Sequence, residues 1–207
     1  MAIYRILVIM KLKAPLIIIL LFTCICTSYA QDYKKNIEKR FDEFYNLIAR
    51  NNIEQAVEYI PDSFFTVIPK AQMIVALKSV MNNKELDYKI LDYKILEIKD
   101  AKLIDKNYYA VLTYTSNIAM KFRQVDSLET TEKKKQRLGL LKLSLANTFG
   151  TDNVKLDEAT NFFMITARKK SCGVSADGLN GWKFVNIESR QRLLLDKVLP
   201  KEIVETL

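Results

Sequence analysis

Histidine occurs nowhere in the 207 residues. That removes the usual general base near neutral pH and the commonest ligand of transition metals. Only five glycines are present, none of them in a glycine-rich loop, so no phosphate cradle can be drawn. No spaced run of acids resembles a calcium loop. Cofactors and metals are therefore expected to be absent. Of the three cysteines, Cys24 and Cys26 fall in an apolar leader, which leaves Cys172 with no partner for an internal disulfide. A lone thiol pairs between chains or, more often, packs as a small buried hydrophobe. As a nucleophile Cys172 would have only Lys169 and Lys170 near it in sequence, and no base.

The leader is the first thing present. Arg5, Lys11 and Lys13 make a positive segment, Ala14 to Ile25 is almost wholly apolar, and Ser28-Tyr29-Ala30 offers small residues before Gln31. This pattern predicts a signal peptide over residues 1–30, with Met10 as an alternative start, and export to the periplasm or beyond. The apolar run is short for a membrane span, so no membrane association is expected after cleavage. Phe22-Thr23 before Cys24 and Ile25 before Cys26 lack the small residues of a lipid-attachment site. Residues 31–207 then form one domain, since no Pro/Gly/Ser linker divides them. The full chain carries a net charge of +8, part of it in the leader. What remains is mildly basic and not concentrated in a stripe, which argues against a nucleic-acid partner.

Asn107 to Phe122, NYYAVLTYTSNIAMKF, is the organising stretch. At period two it separates Tyr108, Ala110, Leu112, Tyr114, Ile118 and Met120 from Thr113, Thr115, Asn117 and Lys121, which predicts a long strand with one side on a core. Ahead of it, Ile37, Phe41, Phe44, Tyr45 and Ile48 form a helical stripe. A short helix ends at Pro61, and a third, starting near Pro69, carries the stripe Met73, Ile74, Leu77, Val80 and Met81. Leu86 to Leu96 reads LDYKI-LDYKI-L. An odd period of five would turn the two copies to opposite faces, so either a bulge near Leu91 restores the face, which is the favoured reading, or both sides are partly covered. After the long strand come a helix over Ser127 to Phe149 with Gly150 at its cap, a hairpin through Asp157 to Asn161, a strand Trp182 to Ile187, and a helical tail on Leu193, Leu194 and Val198.

Helices first, then antiparallel hairpins with one inserted helix, make an α+β fold. The segments LIARNN, IEQAVEYIP, IPKAQMI, YYAVLTYTSNIAMKF, WKFVNIE and LPKEIVETL together resemble a nuclear transport factor 2-like domain, in particular exported bacterial members of uncharacterised function. The resemblance implies a strongly curved antiparallel sheet wrapped round the N-terminal helices, with a pocket at the open end of a cone. Enzymes of that superfamily, such as ketosteroid isomerase, place an acid or histidine there with a tyrosine. This chain has no histidine, and its long strand has no acid.

The expected function is thus a non-catalytic binding module for a small apolar or amphipathic ligand. The expected lining is Tyr88, Tyr93, Tyr108, Leu112, Tyr114, Met120 and Trp182. The alternative is an interaction domain that forms a homodimer through Thr113, Thr115 and Asn117 on the sheet face. An enzyme would need Asp87 or Asp92 buried beside a tyrosine hydroxyl.

Overall fold

Three helices come first: α1 (32–49), α2 (Ile53–Ala56), which runs into a 3-10 turn at Val57–Tyr59, and α3 (Lys70–Met81). Strands β1 (Leu86–Ile98), β2 (Lys102–Ile104) and β3 (Asn107–Phe122) follow, then α4 (Thr131–Phe149). The chain closes with β4 (Val154–Asp157), β5 (Phe162–Ser175), β6 (Lys183–Ile187), α5 (Arg192–Val198) and α6 (Lys201–Val204). This computed structural model describes residues 32–123 and 129–206; the leader expected over 1–30 and the helix start expected at Ser127 lie outside them.

The fold is α+β, with an open, wholly antiparallel six-stranded sheet centred on β3 and β5. β3 pairs with β1 on one side and with β5 on the other, while β4 and β6 flank different halves of β5. β2 and β3 make a tight hairpin through Asp105, which adopts φ 54°. This short hairpin strand was not read from the sequence.

The LDYKI repeat explains the shape of β1. Its register on β3 jumps between Ile90 and Asp92 and again between Ile95 and Glu97, so Leu91 and Leu96 are the extra residues of two bulges. Five residues per repeat are four of regular strand plus one bulge. Tyr88, Ile90, Tyr93, Ile95 and Ile98 consequently share the face of Met120, Ile118, Ser116, Tyr114 and Leu112. Leu91 and Leu96 stay exposed on an edge strand, where bulges also discourage pairing with another chain.

The face so defined, here the inner face, is covered by two helices. α1 lays Ile37, Phe41, Phe44 and Tyr45 on Ala110, Leu112, Tyr114 and Phe184. Phe41 meets the rings of Tyr93, Tyr114 and Phe184 edge-on at centroid distances of 5.4, 5.0 and 5.1 Å. Each such pair contributes about 0.5–1.5 kcal/mol beyond area burial. At the far end of the strands, α4 sets Leu138, Leu141, Leu145 and Phe149 against Ile118, Phe163, Ile165 and Val154. Thr130 caps α4 by accepting from the Lys133 backbone N–H at 3.3 Å.

The outer face is half covered. Leu195, Leu199, Ile203 and Val204 from the tail close over Val111, Cys172, Val185 and Ile187. Leu193, expected in that stripe, is instead 85% exposed, and Leu195 takes the buried position. Leu194 and Val198 do pack against this cluster; a 3-10 turn at Ser189–Gln191 precedes α5, and Leu193 falls outside the packed face. Val80, in the stripe read for α3, is 54% exposed, and that helix buries none of its residues.

Candidate functional site

α3 is the only one of the three leading helices that fails to pack tightly, and space lies beneath it. One cavity of about 200 Å³ has its floor on four neighbouring strands: Tyr88 and Ile90 of β1, Tyr114 and Ser116 of β3, Lys169 of β5 and Asn186 of β6. Phe41, Phe44, Tyr45 and Ile48 of α1 form one wall, and Leu77, Val80 and Met81 of α3 form the roof. A second cavity of about 240 Å³ shares Phe44, Ile48, Leu77 and Asn186 with the first. It continues past Ile60, Phe64, Ile68 and Met73 toward Leu194. Neither lining includes a carboxylate.

The roof is held at its rim. Lys78 pairs with Glu54 and Lys70 with Glu58, which ties α3 to the α2 segment. Both pairs are solvent-exposed, so each contributes at most about 1 kcal/mol. α3 has no buried residue of its own and contacts the rest of the protein through half-buried side chains such as Met73, Leu77 and Met81.

Most polar groups in the lining already have partners. Tyr45 donates its hydroxyl to the Asp92 backbone carbonyl at 2.9 Å and lies 2.8 Å from Ser116 Oγ. Tyr114 donates to Asn186 Oδ1 at 3.3 Å. Burial pushes the Tyr45 phenol up to about 12 and raises Tyr114 and Tyr88 as well; the charge of Glu188 adds to the latter two. All three stay neutral in the ordinary pH range. Lys169 differs: it is half-buried and makes no ion pair with any described residue. It also lines a wide groove of about 540 Å³ that runs outward with Phe149, Arg168, Lys170, Glu188 and Arg190.

Of the seven residues expected to line a pocket, Tyr88 and Tyr114 line the cavity under α3, and Trp182 lines a separate cleft of about 230 Å³ with Asn36, Arg40 and Glu43. Apart from Tyr88 and Tyr114, none of the seven borders the space under α3. Tyr93 packs on Tyr45 at 4.3 Å and donates to Asp42 at 2.9 Å, on the far side of α1. Leu112 is wholly enclosed under α1, and Met120 lies under α4. Tyr108 covers Gly178, whose φ of +73° and lack of a side chain let the ring approach. Trp182 is buried against Gly173 and donates to the Leu179 carbonyl at 3.1 Å. Sharing a face with the cavity is not enough, because α1 and α4 cover both ends of that face.

The acid–tyrosine pairing that an enzyme would need does not form from the expected residues. Asp87 binds Arg123, and Asp92 accepts from Asn117 Nδ2 at 2.6 Å. Their strand partners, Lys121 and Asn117, belong to the outer face. Among the lining residues that were not foreseen are Phe44, Ile48, Leu77, Lys169 and Asn186. Lys169 faces the cavity because it stands opposite Tyr114, a register that only the folded sheet supplies.

No protein-family model, curated protein or solved structure matches the chain.

Proposed function

We propose that the chain is an exported, non-catalytic binding module of the nuclear transport factor 2-like type, which holds a small apolar or amphipathic molecule between the sheet and the leading helices. The observation that carries this reading is the pair of adjoining apolar cavities under a helix with no buried residue. Separately each is smaller than the roughly 300–1,000 Å³ of a ligand pocket; joined by a shift of Leu77, they reach that range. Aromatic and aliphatic walls with a few convergent polar groups suit a ligand that is mostly apolar.

Self-association through the outer face is the weaker reading. Thr113 is buried, and Asn117 already joins Asp92 to Thr166, whose hydroxyl donates to Asn117 Oδ1 at 2.7 Å. The exposed part of that face is polar, with Lys89 and Lys121 set over the Phe162 ring. A face whose polar groups are satisfied among themselves gains little from pairing with a copy.

The test uses N-phenyl-1-naphthylamine, an uncharged dye that fluoresces in apolar surroundings, with the chain from Gln31. Binding with micromolar affinity is expected. Leu77→Trp, which fills the shared wall of both cavities, should weaken it at least tenfold. Unchanged dye binding by Leu77→Trp, with the fold intact by circular dichroism, would refute the assignment.

A further inference from the structure

Resting on that reading, we propose that the occupant is an anionic amphiphile, a single-chain carboxylate whose headgroup is received by Lys169 and whose chain lies under α3. The juxtaposition that carries this is one half-buried lysine, without an ion pair to a described residue, that lines both an apolar cavity and a basic groove.

Lys169 stands on the inner face opposite Tyr114, with the cavity on one side of it and open groove on the other. Lys169 makes no ion pair with a described residue, although Glu188 lines the same groove; an incoming carboxylate can therefore form a charge-assisted hydrogen bond with it. Lys170 is engaged, donating to the Thr206 carbonyl at 2.5 Å. Arg168 and Arg190 line the groove without ion pairs to described residues, and the one carboxylate among the groove's lining residues, Glu188, is outnumbered. An anion entering along the groove therefore meets a positive field before it reaches Lys169. Asn186 lends its Oδ1 to Tyr114, which leaves its amide N–H groups available to a carboxylate oxygen.

Size and polarity select the rest of the ligand. The lining beyond Lys169 and Asn186 is dominated by aliphatic and aromatic side chains, and the two spaces adjoin at Phe44, Ile48 and Leu77. A flexible hydrocarbon chain can occupy two small adjoining apolar spaces.

Displacement of bound N-phenyl-1-naphthylamine from the chain starting at Gln31 tests this with three ten-carbon probes: decanoate, decan-1-ol and decyltrimethylammonium. Decanoate should displace the dye at about one-tenth the concentration of decan-1-ol, and the cation should be the weakest. Lys169→Met should abolish the preference of decanoate over decan-1-ol, and Lys169→Arg should keep it. Equal potency of decanoate and decan-1-ol in the native chain, or a preference that survives Lys169→Met, would overturn the headgroup assignment and leave the apolar site standing. Failure of the dye and of all three probes to bind would overturn both.

Discussion

Deleting a residue from the middle of a core-forming strand ordinarily turns half of its side chains to the wrong face. Deletion of Leu91 should not. Leu91 is the extra residue of a bulge, and without it Ile90 still opposes Ile118, Asp92 still opposes Asn117, and Tyr93 still opposes Ser116. The deletion removes only the contacts of Leu91 itself, which is 46% exposed. Taking about half of the 1.5–3 kcal/mol of a fully buried leucine gives a loss of about 1 kcal/mol. Deleting Thr115 from β3 changes the chain length equally but falls in an unbulged stretch. It must reverse either Ala110, Leu112 and Tyr114 or Ile118, Met120 and Phe122, a loss of about 5 kcal/mol or more, comparable to the whole stability of a typical domain. Urea unfolding of the two deletion variants, followed by circular dichroism, separates the cases. The Leu91 deletion should keep its m-value and lose a modest part of its midpoint, and the Thr115 deletion should show no cooperative transition. Two equally destabilised variants would refute the bulge account of the repeat.

Gly178→Ala combines a positive φ with a methyl group placed 2.8 Å from the Tyr108 ring, so it should cost about 2–4 kcal/mol in urea unfolding. Gly181→Ala has a similar φ of +62° but nothing within 4 Å, and should cost only about 1–2 kcal/mol; the difference between the two measures the Tyr108 contact. Cys172 is fully enclosed and should not react with Ellman's reagent until the protein is unfolded. Burial holds the Cys172 thiol and the Tyr45 phenol each up at about 12 in the folded state, above their unfolded values. Their neutral forms are therefore favoured by folding. Their contribution to stability is intact below about pH 8.5, and falls as pH rises toward 12 by up to about 1.4 kcal/mol per pH unit per group. Cys172→Ala should remove the part of this decline that begins near pH 9, as read from urea midpoints at rising pH.

The sequence made the elements with strong local periodicity legible. β3 spans Asn107–Phe122 because alternation, β-branched residues and the absence of glycine and proline all agree over that stretch. The stripe on α1 was equally plain, and the odd period of the LDYKI repeat favoured a bulge near Leu91, though not the second one at Leu96. What escaped was structure in or next to short irregular pieces. In α5, which follows a 3-10 turn, Leu193 is exposed and Leu195 takes the buried position, and β2, only Lys102–Ile104, is too short to show a pattern.

The site was hidden for a different reason. Its floor takes one or two residues from each of four strands, and its roof comes from a helix that looks, by sequence, like any other amphipathic one. Tyrosines on the inner face were sound candidates, but only those between the ends covered by α1 and α4 could be free, and helix placement is a tertiary property. Lys169 shows the limit most sharply. In sequence it is the middle of Arg168-Lys169-Lys170, a run whose default reading is a solvated face. Alternation along β5 sends the central residue inward, opposite Tyr114, and so separates one ammonium from its two neighbours. A charge that looks redundant in the chain thereby becomes the one positive group in an apolar lining, and ligand choice should depend on it more than on any tyrosine.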